Sequence, residues 1–149
     1  CNYLSEADIR LIANSRSSVV FCPRSHQYFQ HHHHPVQRLI SAGVNLAIGT
    51  DSLASNWSLD MKDELKVLFD LDLPRPQILD MLTVNGAKSL GWSKVGRLEE
   101  GWQADLIAVS LPAQTIGTIG SILEQICQLE AHNLLTMVGG KIVCRIDTS

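Results

Sequence analysis

The run Gly43-Val44-Asn45-Leu46-Ala47-Ile48-Gly49-Thr50-Asp51-Ser52 decides how this chain is read. Gly43 stands where a left-handed residue closes a helix, and Val44 to Ile48 form the short apolar run of a strand buried on both faces. The run ends in a carboxylate, followed by the small residues Ser52, Ala54 and Ser55. A buried strand that ends in a charge admits two readings. Asp51 is a turn-former that caps the loop or the next helix, or it is a working acid at a strand C-terminus, where the sites of parallel α/β folds gather. Local spacing does not choose between them.

Working outward, Ser5-Glu6-Ala7-Asp8 fits a capping box and predicts a helix over 6–14, with Ile9, Leu11 and Ile12 as its apolar stripe. Val19-Val20-Phe21-Cys22 reads as a second buried strand, stopped by Pro23. Residues 36–42 read as the helix between the two strands. The order helix, strand, helix, strand predicts parallel pairing with crossover helices, an α/β architecture. Further on, Leu59, Leu65, Leu68 and Phe69 mark an amphipathic helix over 59–70, and Pro74 and Pro76 separate it from another over 76–90, ended by Gly91. Beyond Gly91 the texture changes to turn signals, a strand at 104–109, a helix at 119–130, and a hairpin of 134–138 with 142–145 around Gly139-Gly140.

Composition narrows the function. The 149 residues are 45% hydrophobic and 18% charged, enough apolar material for one core. A net charge of -3 and a pI near 6.0 offer no basic field for nucleic acid or an anionic membrane surface. No apolar run approaches the roughly 20 residues of a membrane span. Small molecules and protein partners remain, with homo-oligomers left open. Cysteines at 1, 22, 127 and 144 form neither a C-x-x-C pair nor a disulfide framework, so a cytoplasmic location is expected. The chain begins at Cys1 without Met, and the expectation is that an upstream part is missing.

Two other constellations accompany Asp51. Cys22-Pro23-Arg24-Ser25-His26 ends the preceding strand at the same face of the sheet, where Arg24, Ser25 and His26 offer a cation, a hydroxyl and an imidazole to a substrate; the alternative is an ordinary surface loop started by proline. Cys22 as a nucleophile is set aside, because nothing in the sequence orients it against His26. His31 to His34 read as a solvent-facing loop, with a low-affinity metal patch as the alternative, since neighbouring imidazoles on a regular backbone face different ways.

Taken in order, "CPRSH", "PVQRLISAGVNLAIGTDSLASNWSLDM" and "TVNGAKSLGWSKVGRLEEGWQADLIAV" resemble the metal-dependent amidohydrolase superfamily, in its deaminase and chlorohydrolase branch. The likeness runs from Cys1 to Pro112, with an echo at "MVGGKIV". It implies the C-terminal part of a (β/α)8 barrel over 1–91, its last two strands and their helices, and over 92–149 the C-terminal part of a small β accessory domain with a helix. It implies one or two divalent ions, zinc or iron, at the strand C-termini. Asp51 then matches the family's last-strand aspartate, a metal ligand that carries a proton from the water the metal activates. Pro23 and Ser25 match a Pro-x-Ser element near the substrate. Many relatives follow that serine with Asn; His26 here is similar to the aminodeoxyfutalosine deaminase group, which points to a purine-nucleoside-like substrate. Hydrolysis would expel ammonia, or chloride, from a ring carbon.

The family's other ligands, an H-x-H pair on the first strand and single histidines on the fifth and sixth, have no match here; relatives place the sixth-strand His immediately before a Cys like Cys1. A barrel of this kind takes about 250 residues, so the expectation is a portion that is inactive without the N-terminal half, in the same chain or in a partner. The rival expectation is a truncated, non-catalytic interaction module, and storage of metal by His31 to His34 is a third.

Overall fold

Ser5 starts the first helix as its spacing predicts: its hydroxyl accepts the Asp8 amide at 3.2 Å while the Asp8 carboxylate accepts the Ser5 amide at 2.8 Å. Helix α1 (Glu6–Asn14) follows and buries Ile9. The computed structural model describes residues 1–111, 117–128 and 131–146. Strands β1 (Ser18–Phe21) and β2 (Asn45–Ile48) pair in parallel, Val19 opposite Leu46 and Phe21 opposite Ile48. Two helices connect them, α2 (Pro23–Tyr28) and α3 (Val36–Ser41). Gly43 follows α3 with φ 73°, the left-handed conformation expected of it.

The residues that begin α2 read in the sequence as a loop. Pro23 instead occupies the first helical turn, where its missing N–H costs nothing and its fixed φ suits the helix. The helix over 59–70 is shorter than expected: Asp60 accepts the Lys62 amide at 2.9 Å and caps α4 (Met61–Leu68), leaving Leu59 outside and exposed. The helix over 76–90 is two helices, α5 (Arg75–Leu82) and α6 (Val84–Ser89), divided at Thr83 with ψ −92°. The Thr83 hydroxyl turns back to the Leu79 carbonyl at 2.7 Å. The bend sets Asn85 against the sheet, where its amide donates to the Leu46 carbonyl at 2.9 Å.

Val19, Phe21, Leu46 and Ile48 join Leu39, Leu65, Leu68, Ile78 and Met81 in one core. On the opposite face of the two strands Val20 is 51% exposed. Ala47, which pairs with Val20 on that face, is buried.

A second sheet holds β3 (Leu106–Val109), β4 (Asn133–Val138) and β5 (Lys141–Arg145), all antiparallel, with β4 and β5 forming the hairpin over Gly139-Gly140. Asp105 Oδ1 accepts the Gly139 amide at 2.6 Å and so holds that turn. Helix α7 (Ile119–Gln128) packs Leu123 and Cys127 into the core formed by the first unit. Glu130, where the sequence ended this helix, lies outside the described residues. Among those described, no helix is long and apolar enough to cross a membrane.

Candidate active site

Both strands point their C-terminal ends to the same place, and the residues that leave them meet there. After β2 the chain passes Gly49 and Thr50 and turns at Asp51, whose φ of 59° is unusual for a residue with a side chain. Gly49 is required by closeness: a Cβ there would stand 2.9 Å from Val20 Cγ1 and 3.4 Å from Cys22 Sγ. After β1, Ser25 on α2 is nearly buried and its hydroxyl donates to Asp51 Oδ2 at 2.7 Å. Ser55 donates to the same oxygen at 3.0 Å, and the two serine hydroxyls are 2.9 Å apart. The Ser25 and Ser55 hydroxyls, with the Ser52 amide, hold the Asp51 carboxyl below the usual carboxylate range, although the side chain is open to solvent.

Asp51 and Ser25 face a cavity of about 260 Å³ that is also lined by Cys1, Asn2, Phe21, Cys22 and His26. His26 Nδ1 lies 3.3 Å from Asn2 Oδ1, and its ring meets the edge of Phe21. Burial lowers the His26 pKa, and the neighbouring His31 and His33 act in the same direction. Burial pushes the Cys22 thiol up, and the Asp51 carboxylate adds to it, so this cysteine is not an activated nucleophile.

Of the residues singled out in the sequence, the structure brings Asp51, Ser25 and His26 to one cavity and turns Arg24 aside. The Arg24 guanidinium lies 3.3 Å from Asp63 Oδ2 and over the Trp57 ring, 5.4 Å from its centroid. It steadies α2 against α4 and does not line the cavity. The histidine run divides. His32 and His33 are exposed, whereas His34 stacks on Phe21 with centroids 4.3 Å apart, and burial, then His26, lowers its pKa to about 4. Together the four line an adjoining cavity of about 480 Å³, and His31 and His34 also line the one that Asp51 faces. Among the described residues, no three or more His, Cys, Asp or Glu side chains converge as a metal site.

Sequence reasoning passed over Glu64, which is 0% exposed and accepts the Arg24 amide at 3.0 Å and the Asn56 side-chain amide at 2.5 Å. The signal was present: Glu64 precedes Leu68 by one helical turn, on the stripe that packs inward.

Comparison with known proteins places this geometry. The model of the amidohydrolase family matches residues 1–143. A 5-methylthioadenosine/S-adenosylhomocysteine deaminase of Halothermothrix orenii is 40% identical over 124 residues, covering 77% of this chain and 29% of that protein. A zinc-bound adenosine deaminase from Xanthomonas campestris superposes with a TM-score of 0.84 at 33% identity, over 98% of this chain and 37% of that one. Helicobacter pylori aminofutalosine deaminase in complex with methylthio-coformycin gives 0.80 at 25% identity, over 96% and 36%. The chain thus spans about a third of the length of the proteins it matches, and the fold is the C-terminal part of a (β/α)8 barrel with part of a small β domain. With the family model reaching from Cys1 to residue 143, the chain belongs to the amidohydrolase family.

Proposed function

We propose that this chain is the C-terminal part of a metal-dependent deaminase that removes an amino group from a purine-nucleoside-like substrate. Asp51 carries the reading: a strand-end carboxylate facing a cavity and held in its ionised form by two serine hydroxyls. Such a group can take a proton from an attacking water and return it to a leaving amine. Ser25 and His26, on the same cavity, are assigned to the substrate, and Arg24 to the α2–α4 contact beside it. Deamination is preferred to dechlorination because the relatives named above are deaminases, and the two that are 33% and 40% identical to it are named for adenosine or its derivatives.

Zinc sites take three or more protein ligands, and the described residues of this chain do not by themselves fit such an ion. Asp51 is assigned as one ligand, with the others contributed by an N-terminal half in the same polypeptide or in a partner chain. Zinc or iron held there would supply a water that ionises near neutral pH. Residues 1–91 are assigned to the barrel and 92–149 to the accessory domain, with α7 returning to pack on the barrel helices. Four free cysteines fit a reducing cytoplasm. The test is Asp51→Asn in the full-length parent protein, assayed for ammonia release from adenosine-type nucleosides. Loss of turnover is expected, and undiminished turnover overturns the assignment.

A further inference from the structure

A second carboxylate is enclosed behind the cavity. Glu64 lies in the first half of α4 with no exposed surface, and a carboxylate in that position is costly unless hydrogen bonds replace its water. The bonds come from segments far apart in the chain. Oε2 accepts the backbone amide of Arg24 at 3.0 Å across 40 positions of sequence. Oε1 accepts the side-chain amide of Asn56, and the same Asn56 nitrogen donates to the Thr50 carbonyl at 2.9 Å. Arg24 and Thr50 immediately precede Ser25 and Asp51. One buried carboxylate therefore fixes the backbone on both sides of the Ser25–Asp51 contact.

We propose that Glu64 is the positioning residue of this site: its carboxylate ties the segment after β1 to the segment after β2 and so sets the hydrogen bonds that orient Asp51. This rests on the reading of Asp51 as the reacting acid. The carboxylate is needed as an acceptor on both oxygens, because both neighbours donate. A glutamine has nearly the same shape but would set an NH2 against either the Arg24 amide or the Asn56 amide. Misplacing a reacting group slows the chemical step more than it weakens substrate binding.

The experiment compares Glu64→Gln with the wild type in the full-length, metal-loaded protein, by hydrogen exchange and by kcat and KM per bound metal. Exchange is expected to rise several-fold in peptides covering 22–29 and 50–57 and to stay unchanged in those covering 133–145. The expected kcat falls about 10- to 100-fold while KM stays within about threefold. A uniform rise in exchange along the chain, or a kcat within about twofold of wild type, overturns the proposal. If Glu64→Gln does not fold, Asn56→Ala cuts the tie on the β2 side alone: faster exchange confined to 50–57 with a lower kcat supports the proposal, and no change overturns it. Asp51→Asn in the same assay separates the two readings. If that variant keeps turnover, the deaminase assignment fails, while the exchange pattern of Glu64→Gln still reports on the tie.

Discussion

The Ser25 hydroxyl lies 2.7 Å from Asp51 Oδ2, although the two residues stand 26 positions apart on different strand ends. Ser25→Ala removes this donor and leaves Ser55 in place. Thermal stability is expected to drop by about 1 kcal/mol, the usual net worth of one hydrogen bond, while the turnover proposed for the full-length parent protein falls about 10-fold or more because Asp51 loses its orienting partner. Melting curves and steady-state kinetics on the same preparation check both.

Gly96 has φ 92°, and a Cβ there would meet backbone atoms of Thr83 and Val84 at 3.0 Å, atoms that cannot rotate away. Gly101 has φ 79° with nothing near its absent side chain. Gly101→Ala is expected to cost about 1–2 kcal/mol from backbone strain alone, and Gly96→Ala measurably more. Urea melts of the two variants separate strain from collision, and equal losses would remove the collision from the account.

Asp105 has its carboxyl lowered below the ordinary 3.8, first by the Gly139 amide and then by the Gln103 side chain. A lowered folded-state pKa contributes stability that is fully present above the unfolded value and is lost as pH falls through the folded one. Asp105→Asn is therefore expected to be less stable than wild type at pH 6 and to close that gap as the pH falls below 3.8. Denaturant melts across that range give the comparison, and a gap that widens on acidification would contradict it.

Cys1 and Cys144 are exposed, whereas Cys127 is buried and its thiol is pushed up to about 11 by burial. Thiolates react and thiols do not. Alkylation at pH 8 is expected to modify Cys1 and Cys144 within minutes and Cys127 only after unfolding, as peptide mass spectrometry of timed samples would show.

Zinc offered to the 149-residue chain alone is expected to find no tight site, since the described residues provide no convergent set of ligands. Equilibrium dialysis checks this. Stoichiometric retention abolished by changing His31 to His34 to alanine would instead support the histidine patch.

Much of the fold was legible because its signals are local. The Ser5–Asp8 box, the left-handed Gly43, the apolar runs of β1 and β2 and the Gly139-Gly140 turn each act within a few residues. The parts that escaped depend on partners distant in sequence. The break at Thr83 goes with the docking of Asn85 on the Leu46 carbonyl, a partner 39 positions away. Arg24 reads as a free cation until Asp63 and Trp57 are placed beside it. Glu64 stands on the inward stripe of its helix, but its partners, the Arg24 amide and Asn56, show only in the folded chain. Asp51, by contrast, makes the turn that its position suggested, with φ 59°, while its part as the acid is the proposal that Asp51→Asn tests.

The attachment of α7 ties α4 to a distant part of the chain. Lys62, two residues before Glu64, donates from Nζ to the Ala131 carbonyl at 2.9 Å, and Cys127 Sγ reaches the Lys62 carbonyl at 3.9 Å. Helix α4 therefore packs against a segment some 65 residues further along the chain. The bonds that set Asp51, made by Arg24, Ser25, Ser55, Asn56 and Glu64, all lie within residues 24–64, so this later segment braces α4 from outside that set.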